Sequence, residues 1–212
     1  MKISASFLSI KENMLDNILK LDNTSIDYLH LDIMDGNFVS NKTWNIEEIK
    51  QFTKDTKKPL DVHLMVEDIF KYIDEYKTLN PAFITFHLEA AGEPLKVIKY
   101  LKDSNIKVGI SVKPNTKISE IEPYLKYLDL VLVMSVEPGM GGQQFIPNST
   151  NKIEELYQLR ELNKYNYLIE VDGGINDETI SYCKKADILV VGSYITGAND
   201  YQEQINRLQK GE

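Results

Sequence analysis

A histidine and an aspartate that could bind a metal or transfer protons lie two positions apart in a short apolar segment. Within residues 27–33, apolar residues alternate with His30 and Asp32. Because successive side chains of an extended strand point to opposite faces, His30 and Asp32 project side by side. Asp35 and Gly36 follow and are typical of a turn, which predicts that the pair lies near the carboxyl end of a strand. This segment alone is consistent with a metal site or with a buried, hydrogen-bonded pair.

Further histidine and carboxylate side chains occur where other apolar segments end. His63 lies near the end of residues 60–65, and Asp172 follows residues 167–171. Two imidazoles and two carboxylates suit one divalent metal ion, and zinc, iron, manganese and cobalt all accept such ligands. The ligands that the sequence predicts are His30, Asp32, His63 and Asp172.

Apolar segments and amphipathic helical patterns alternate along the whole chain. The predicted strands are 3–8, 27–33, 60–65, 82–87, 106–112, 128–134, 167–171 and 186–191. Helices are predicted between them, for example over 11–21 and 67–79, and Asn45 and Pro94 are placed to begin two others. Eight strand–helix units of about 26 residues each are enough for a minimal parallel barrel.

The positions of the polar residues favour a barrel over an open doubly wound sheet. Polar residues end nearly every predicted strand, whereas an open sheet would concentrate them at one switch point. We therefore expect an α/β fold, a single-domain (β/α)8 TIM barrel over residues 1–212, with the active site at the carboxyl ends of the strands.

Three glycine-bearing segments follow the last three predicted strands. They include residues 139–142, 173–174 and 192. Late strands of such barrels commonly bind phosphate through backbone N–H groups, and glycine lets the backbone approach a ligand closely. The sequence therefore predicts a phosphorylated small molecule as the ligand.

The composition is that of an ordinary globular protein with an acidic balance. Hydrophobic residues make up 42% and charged residues 26%, and the net charge is −8. This charge argues against nucleic acid or a membrane surface as a partner. The single cysteine, Cys183, cannot form an intrachain disulfide. Because the sequence also has no signal-like segment and no apolar run long enough to span a bilayer, we expect a soluble cytoplasmic protein.

Six motifs, each at the end of a predicted strand, carry a family resemblance over essentially the whole chain. They are LHLDIMDGNFVSN, DVHLMV, ITFHLEA, VMSVEPGMGGQQFIP, EVDGGI and VVGS. In this order and spacing the chain resembles the ribulose-phosphate 3-epimerase family. The resemblance implies an isomerase of carbohydrate metabolism, in the pentose phosphate pathway, that interconverts D-ribulose 5-phosphate and D-xylulose 5-phosphate. It also implies one bound divalent metal ion and a homo-oligomer assembled through the barrel surfaces.

The resemblance further assigns roles to individual residues. It implies that His30, Asp32, His63 and Asp172 bind the metal, and that Asp32 and Asp172 are the catalytic pair that transfers protons at C3 through a metal-stabilised enediolate. Inverting a carbon beside a ketone does require acid/base groups on both faces of a planar intermediate. The residues implied to contact the substrate are Ser6, His63, Gly139, Met140, Gly141, Gly142, Asp172, Gly173, Gly174, Gly192 and Ser193.

Other interpretations stay open from sequence. The same chemistry could act on a hexulose 6-phosphate such as D-allulose 6-phosphate. Lys113 follows the fifth predicted strand, where an aldolase would place its Schiff-base lysine, although a solvent-facing turn is favoured. A sugar-phosphate-binding regulator without catalysis would keep the pocket, but the intact Asp32 and Asp172 argue against it. For His87 and Glu89, a hydrogen-bonded structural histidine is favoured over a second metal site.

Overall fold

Eight parallel strands form a closed barrel in the computed structural model, which describes residues 1–211. The strands are β1 Lys2–Ser6, β2 Tyr28–Met34, β3 Leu60–Met65, β4 Phe83–His87, β5 Lys107–Val112, β6 Leu130–Met134, β7 Leu168–Asp172 and β8 Ile188–Val191. Each strand pairs with the next one along the chain, and β8 pairs with β1 to close the barrel. The predicted (β/α)8 fold is confirmed.

Helices connect the strands and cover the outside of the barrel. They are α1 Met14–Asp22, α2 Ile46–Thr53, α3 Ile69–Tyr76, α4 Pro94–Asp103, α5 Ile118–Ile121, α6 Ser149–Asn163, α7 Ser193–Thr196 and α8 Tyr201–Lys210. Short 3-10 segments complete several connections, at Lys77–Leu79, Leu88–Ala90, Glu122–Tyr127 and Ile180–Cys183. Within residues 1–211, no helix combines the length and the apolar character that crossing a membrane requires.

Alternate side chains of a strand are buried in different surroundings, as β2 shows. Leu29, Leu31 and Ile33 of β2 are fully buried in the large apolar core that also contains helix residues such as Ile18 and Ile49. The alternate residues of β2, His30 and Asp32, belong to a polar cluster instead, although they too are buried. The larger apolar core therefore lies between strands and helices, while the barrel interior holds the polar cluster and a smaller apolar cluster that includes Tyr28, Phe83 and Leu130.

Strand register places the polar residues side by side. Asp32 pairs with His63 across β2 and β3, and Ser6 of β1 pairs with His30 of β2. Across β6 and β7, Met134 pairs with Asp172. Residues that are distant in the sequence are thus brought to neighbouring positions at one end of the barrel.

Several predicted element boundaries differ from those observed. The first helix begins at Met14 and not at residue 11, because Asn13 has a left-handed backbone with φ of 50° that cannot continue a helix. The first strand ends at Ser6, two residues earlier than predicted. Asn45 does cap α2, since its side chain accepts hydrogen bonds from the backbone of Glu47 and Glu48. These differences do not affect which polar residues lie at the carboxyl ends of the strands.

Candidate active site

Two histidines and two aspartates converge at the carboxyl end of the barrel. The four are His30 and Asp32 of β2, His63 of β3 and Asp172 of β7, and one potential ligand atom from each lies within 4.8 Å of all the others. Oδ1 of Asp32 lies 3.5 Å from Nε2 of His30 and 3.4 Å from Nδ1 of His63. The structure therefore brings together the four residues that the sequence singled out as a metal-binding set.

The other nitrogen of each imidazole is held by a neighbour outside this set. Nδ1 of His30 lies 2.7 Å from Oδ2 of Asp61, and Nε2 of His63 lies 2.9 Å from Nε2 of His87. The nitrogens that face the cluster, Nε2 of His30 and Nδ1 of His63, are buried and have no hydrogen-bond partner within residues 1–211. Two buried, unpartnered nitrogens beside two carboxylates fit a divalent cation, and outer partners of this kind orient metal-binding histidines.

A second layer of buried polar residues lies next to His30. Ser4 donates a hydrogen bond of 2.8 Å to Asp61, and ligand atoms of His30, Asp61 and Glu170 lie within 4.8 Å of one another. Glu170 is fully buried. Burial, followed by the charge of Asp61, raises the pKa of Glu170 well above its usual range.

The two aspartates of the cluster have different electrostatic environments in the metal-free chain. Burial opposes the ionisation of Asp32, but His30 and His63 together hold its pKa below the usual range. Burial and the neighbouring charge of Asp32 raise the pKa of Asp172 to about 7. At neutral pH, Asp32 is therefore ionised while a large fraction of Asp172 carries a proton.

An open cavity lies over the cluster. Asp32 and Asp172 are part of its wall, together with Met34, Met65 and Met134. All but one of the residues that the sequence predicted to contact the substrate also line it, namely Ser6, Gly139, Met140, Gly141, Gly142, Asp172, Gly173, Gly174, Gly192 and Ser193. The exception is His63, which is fully buried.

The loop after β6 is fixed against the loop after β2 on one side of the cavity. The side-chain amide of Asn41 donates a hydrogen bond of 2.7 Å to the carbonyl oxygen of Gly139. Gly139 has a φ of +109° and lies against Val39, leaving no room for a larger side chain. Met140, the next residue, is 62% exposed. The glycine therefore allows close contact at the base of the loop, while the following side chain remains accessible to solvent.

Sequence reasoning missed the contribution of three buried residues to this centre. The sequence assigned no role to Asp61 or Glu170, and it favoured His87 as a structural histidine hydrogen-bonded to Glu89, a contact that the structure contains at 3.1 Å. A signal was available for the two carboxylic acids, because Asp61 precedes His63 by two positions and Glu170 precedes Asp172 by two. On a strand this spacing places both members of each pair on one face.

The fold and the site together define a (β/α)8-barrel enzyme with a buried centre of histidine and aspartate at one mouth. Residues 2–196 match the model of the ribulose-phosphate 3 epimerase family. The chain belongs to this family.

Curated relatives support the same assignment. The chain is 39% identical to ribulose-phosphate 3-epimerase of Methanocaldococcus jannaschii, in an alignment that covers 99% of this chain and 90% of the relative. It is 37% identical to the Helicobacter pylori protein of the same name, with 99% and 97% covered. Among solved structures, 3-hexulose-6-phosphate synthase from Salmonella typhimurium is similar with a TM-score of 0.70 at 16% identity, covering 100% of this chain and 98% of that one. This last likeness concerns the fold alone.

Proposed function

We propose that this chain is a metal-dependent epimerase that interconverts D-ribulose 5-phosphate and D-xylulose 5-phosphate by moving a proton at C3. The observation that carries the proposal is the convergence of two imidazoles and two carboxylates beneath an open cavity in a member of this family. The proposed activity is the one named for the relatives at 37–39% identity.

Asp32 and Asp172 are the proton-transfer pair in this proposal. They line one cavity from strands β2 and β7, which are separated in the barrel by β8 and β1. Epimerisation requires removal of a proton from one face of C3 and return of a proton to the other face. One carboxylate takes the proton while the other supplies one, and their roles exchange in the reverse direction. Two aspartates that reach the substrate from different strands provide such a pair.

His30, Asp32, His63 and Asp172 would hold one divalent metal ion, zinc, iron, manganese or cobalt. When bound, such an ion supplies Lewis-acid polarisation of the substrate carbonyl, which makes the proton on the adjacent carbon more acidic. The protein's contribution is to keep the ligand nitrogen of His30 directed at the centre through Asp61. Ser6 keeps Asp32 in place through a hydrogen bond of 2.7 Å.

The substrate phosphate binds at the far wall of the cavity in this proposal. Gly173, Gly174, Gly192 and Ser193 line that wall after β7 and β8. Exposed backbone N–H groups after the last two strands are a recurrent phosphate site in barrels of this class. Residues 139–142 would cover the sugar. His63 was also expected to contact the substrate, but it is buried beneath the cavity, so the substrate would have to reach it through the metal-binding cluster.

An aldolase using Lys113 has no support from the geometry. The Nζ atom of Lys113 lies 4.1 Å from the centre of the Phe38 ring, and the described residues that line the cavity include no lysine. A hexulose 6-phosphate remains a distinct substrate hypothesis, and direct comparison of the two sugars decides between them. We propose the pentose because the relatives carry that name.

The test is proton NMR of ribulose 5-phosphate in deuterated water with the purified protein, before and after chelation. Asp32→Asn and Asp172→Asn are measured alongside, and allulose 6-phosphate is the comparison substrate. We expect metal-dependent formation of xylulose 5-phosphate with deuterium at C3, and its loss in both variants. A folded, metal-supplemented wild type that exchanges no C3 proton would contradict the proposal, and faster turnover of the hexose would change the substrate.

The setting of the reaction follows from the same assignment. We propose a role in the pentose phosphate pathway, a cytoplasmic location and a homo-oligomeric state, all of which the family resemblance or the single cysteine suggested. Residues 1–212 would then act as one domain that carries the complete set of proposed ligands and proton-transfer groups. Sedimentation of the purified chain tests the oligomeric state.

A further inference from the structure

A chain of three side chains runs from the candidate metal centre toward the surface. Nε2 of His63 lies 2.9 Å from Nε2 of His87, and Nδ1 of His87 lies 3.1 Å from Oε2 of Glu89. His63 and His87 are fully buried, whereas the Glu89 side chain is 22% exposed. The proposed function assigns no role to His87 or Glu89, although they form the only described hydrogen-bonded connection from His63 to a carboxylate outside the cluster.

The two imidazoles cannot both donate along their shared contact. A hydrogen bond between two ring nitrogens requires one N–H group and one lone pair. If Nδ1 of His63 offers its lone pair to the cluster, the proton of His63 resides on Nε2 and is donated to His87. The proton of His87 must then reside on Nδ1, where Glu89 accepts it. The direction of every hydrogen bond in the chain follows from the carboxylate at its end, which can only accept.

We propose that His87 and Glu89 are positioning residues that hold His63 in the tautomer protonated at Nε2, so that Nδ1 is available to a metal ion. The inference rests on the proposed metal site. It adds two residues to that site that do not touch the ion and act through His63.

The surroundings of the chain are arranged to keep this geometry. Glu89 accepts hydrogen bonds from the backbone N–H of Lys113 at 2.8 Å and from the hydroxyl of Thr116, so its carboxylate is fixed at the outer end. The Phe38 ring packs against His87 with ring centres 4.8 Å apart. Anchored at both ends and packed on one face, the His87 ring has little freedom to break its contact with His63.

The two proposed histidine ligands are therefore oriented in different ways. Nδ1 of His30 contacts the carboxylate of Asp61 directly at 2.7 Å, whereas His63 reaches the carboxylate of Glu89 only through a second imidazole. A direct carboxylate is the more common outer partner. Because His87 can accept or donate at Nε2, the orientation of His63 depends on Glu89 as well as on His87.

The experiment measures cobalt affinity of the chelated protein by competition with a chromophoric chelator, in His87→Leu and His87→Gln. Leucine cannot accept the proton of His63, whereas the side-chain oxygen of glutamine can. We expect His87→Leu to weaken binding by about 10-fold to 100-fold, the range for lost outer partners, and His87→Gln to stay within about threefold of the wild type. Ser111→Ala is the matched control. Ser111 is buried and pairs with His87 across β4 and β5, but it takes no part in the hydrogen bonds that join His63, His87 and Glu89.

Nitrogen-15 NMR of the histidine side chains in the chelated wild type provides a second readout. We expect His63 protonated at Nε2 and His87 protonated at Nδ1, a signature that a packing role would not produce. His63 found with its proton on Nδ1 would overturn the inference even if His87→Leu failed to fold.

The outcomes separate this inference from the proposed function. A wild type that binds no cobalt and has no epimerase activity would overturn both. A wild type that binds cobalt and epimerises the substrate, with His87→Leu binding the metal equally well, would overturn the positioning role alone. Equal weakening in His87→Leu and His87→Gln would also contradict it, because acceptance at this position would then not matter.

Discussion

The hydroxyl group of Ser6 donates a hydrogen bond of 2.7 Å to Oδ2 of Asp32, joining the end of β1 to the member of the proposed proton-transfer pair that lies on β2. The other oxygen of Asp32 faces His30 and His63. Ser6 thus fixes which oxygen of Asp32 faces the two imidazoles, and it does so from within the cavity wall.

Removing this hydroxyl with Ser6→Ala should slow the reaction. A hydrogen bond to a charged group contributes about 1.5 kcal/mol, so we expect kcat/KM for ribulose 5-phosphate to fall by about tenfold. Ser9→Ala is the control, because it removes a hydroxyl from the same cavity and leaves the hydrogen bond from Ser6 to Asp32 intact. Steady-state kinetics of both variants gives the answer, and equal rates for Ser6→Ala and the wild type would contradict the role assigned to this bond.

Asp61→Asn should weaken metal binding. The amide keeps the size of the side chain but removes the negative charge beside Nδ1 of His30. We therefore expect cobalt affinity to drop by about 10-fold to 100-fold. Chelator competition measures the affinity, with the exposed Asp55→Asn as control. An unchanged affinity in Asp61→Asn would show that the contact of 2.7 Å with His30 does not support the metal site.

Glu89 should make the chelated protein sensitive to acid. Burial opposes its ionisation, but hydrogen bonds from His87 and Thr116 lower its pKa to about 2, from 4.5 in the unfolded chain. A lowered folded-state pKa stabilises the protein above the unfolded value, and this stability is lost as the pH falls from about 4.5 to about 2. We expect on the order of 2 kcal/mol to disappear from the free energy of unfolding over this window.

Urea unfolding of the chelated protein at several pH values tests this dependence. Glu89→Gln should be less stable than the wild type at neutral pH and should lose less stability on acidification. The exposed Glu122→Gln provides the comparison. A wild type and a Glu89→Gln variant with parallel curves below about pH 4.5 would contradict the linkage.

Gly174→Ala should disrupt the cavity wall. Gly174 has a φ of +65°, and a Cβ atom there would overlap the backbone nitrogen of Phe145. Strain of this kind, combined with the overlap, is expected to reduce the free energy of unfolding by on the order of 3 kcal/mol and to reduce activity sharply. Gly92→Ala is the control, since a Cβ at Gly92 meets open space. Chemical denaturation that finds the two variants equally stable would refute the close approach.

Lys113→Met should leave epimerase activity within about threefold of the wild type. Such a change corresponds to less than about 1 kcal/mol in the activation free energy. The lysine head group lies over the Phe38 ring, and only the backbone of Lys113 holds Glu89. Borohydride treatment in the presence of substrate should trap no adduct, which mass spectrometry of the intact chain detects. Loss of activity together with a trapped adduct would favour the aldolase interpretation.

The sequence was sufficient to predict the fold because the strands have a strong and regular pattern. Apolar residues at alternate positions, polar residues at the strand ends and helical segments between them are all local features, and β3 was predicted with the observed bounds Leu60–Met65. Helix boundaries were predicted less well, since α1 begins at Met14 and not at residue 11.

The four residues of the cluster could be named from sequence, whereas their contacts with buried neighbours could not. His30 and Asp32 reveal their common face through their spacing on one strand. The contact of His63 with His87, by contrast, depends on the side-chain rotamers of two neighbouring strands. The raised pKa of Glu170 depends on its complete burial beside Asp61, which arises only when the barrel closes. Interactions between residues that are distant in the sequence produce no periodic pattern from which they could be predicted.

The pairing of β1 with β8 also has a consequence for how the protein is made. Seven of the eight strand pairs join neighbours in the sequence, but this pair joins Lys2 to Ile188, across nearly the whole chain. On the ribosome, the early strands can assemble into an open sheet before synthesis is complete, but the barrel cannot close until β8 has emerged. Until then, both edges of the nascent sheet are unpaired and open to association with other chains, so chaperone binding would protect the protein most during this interval.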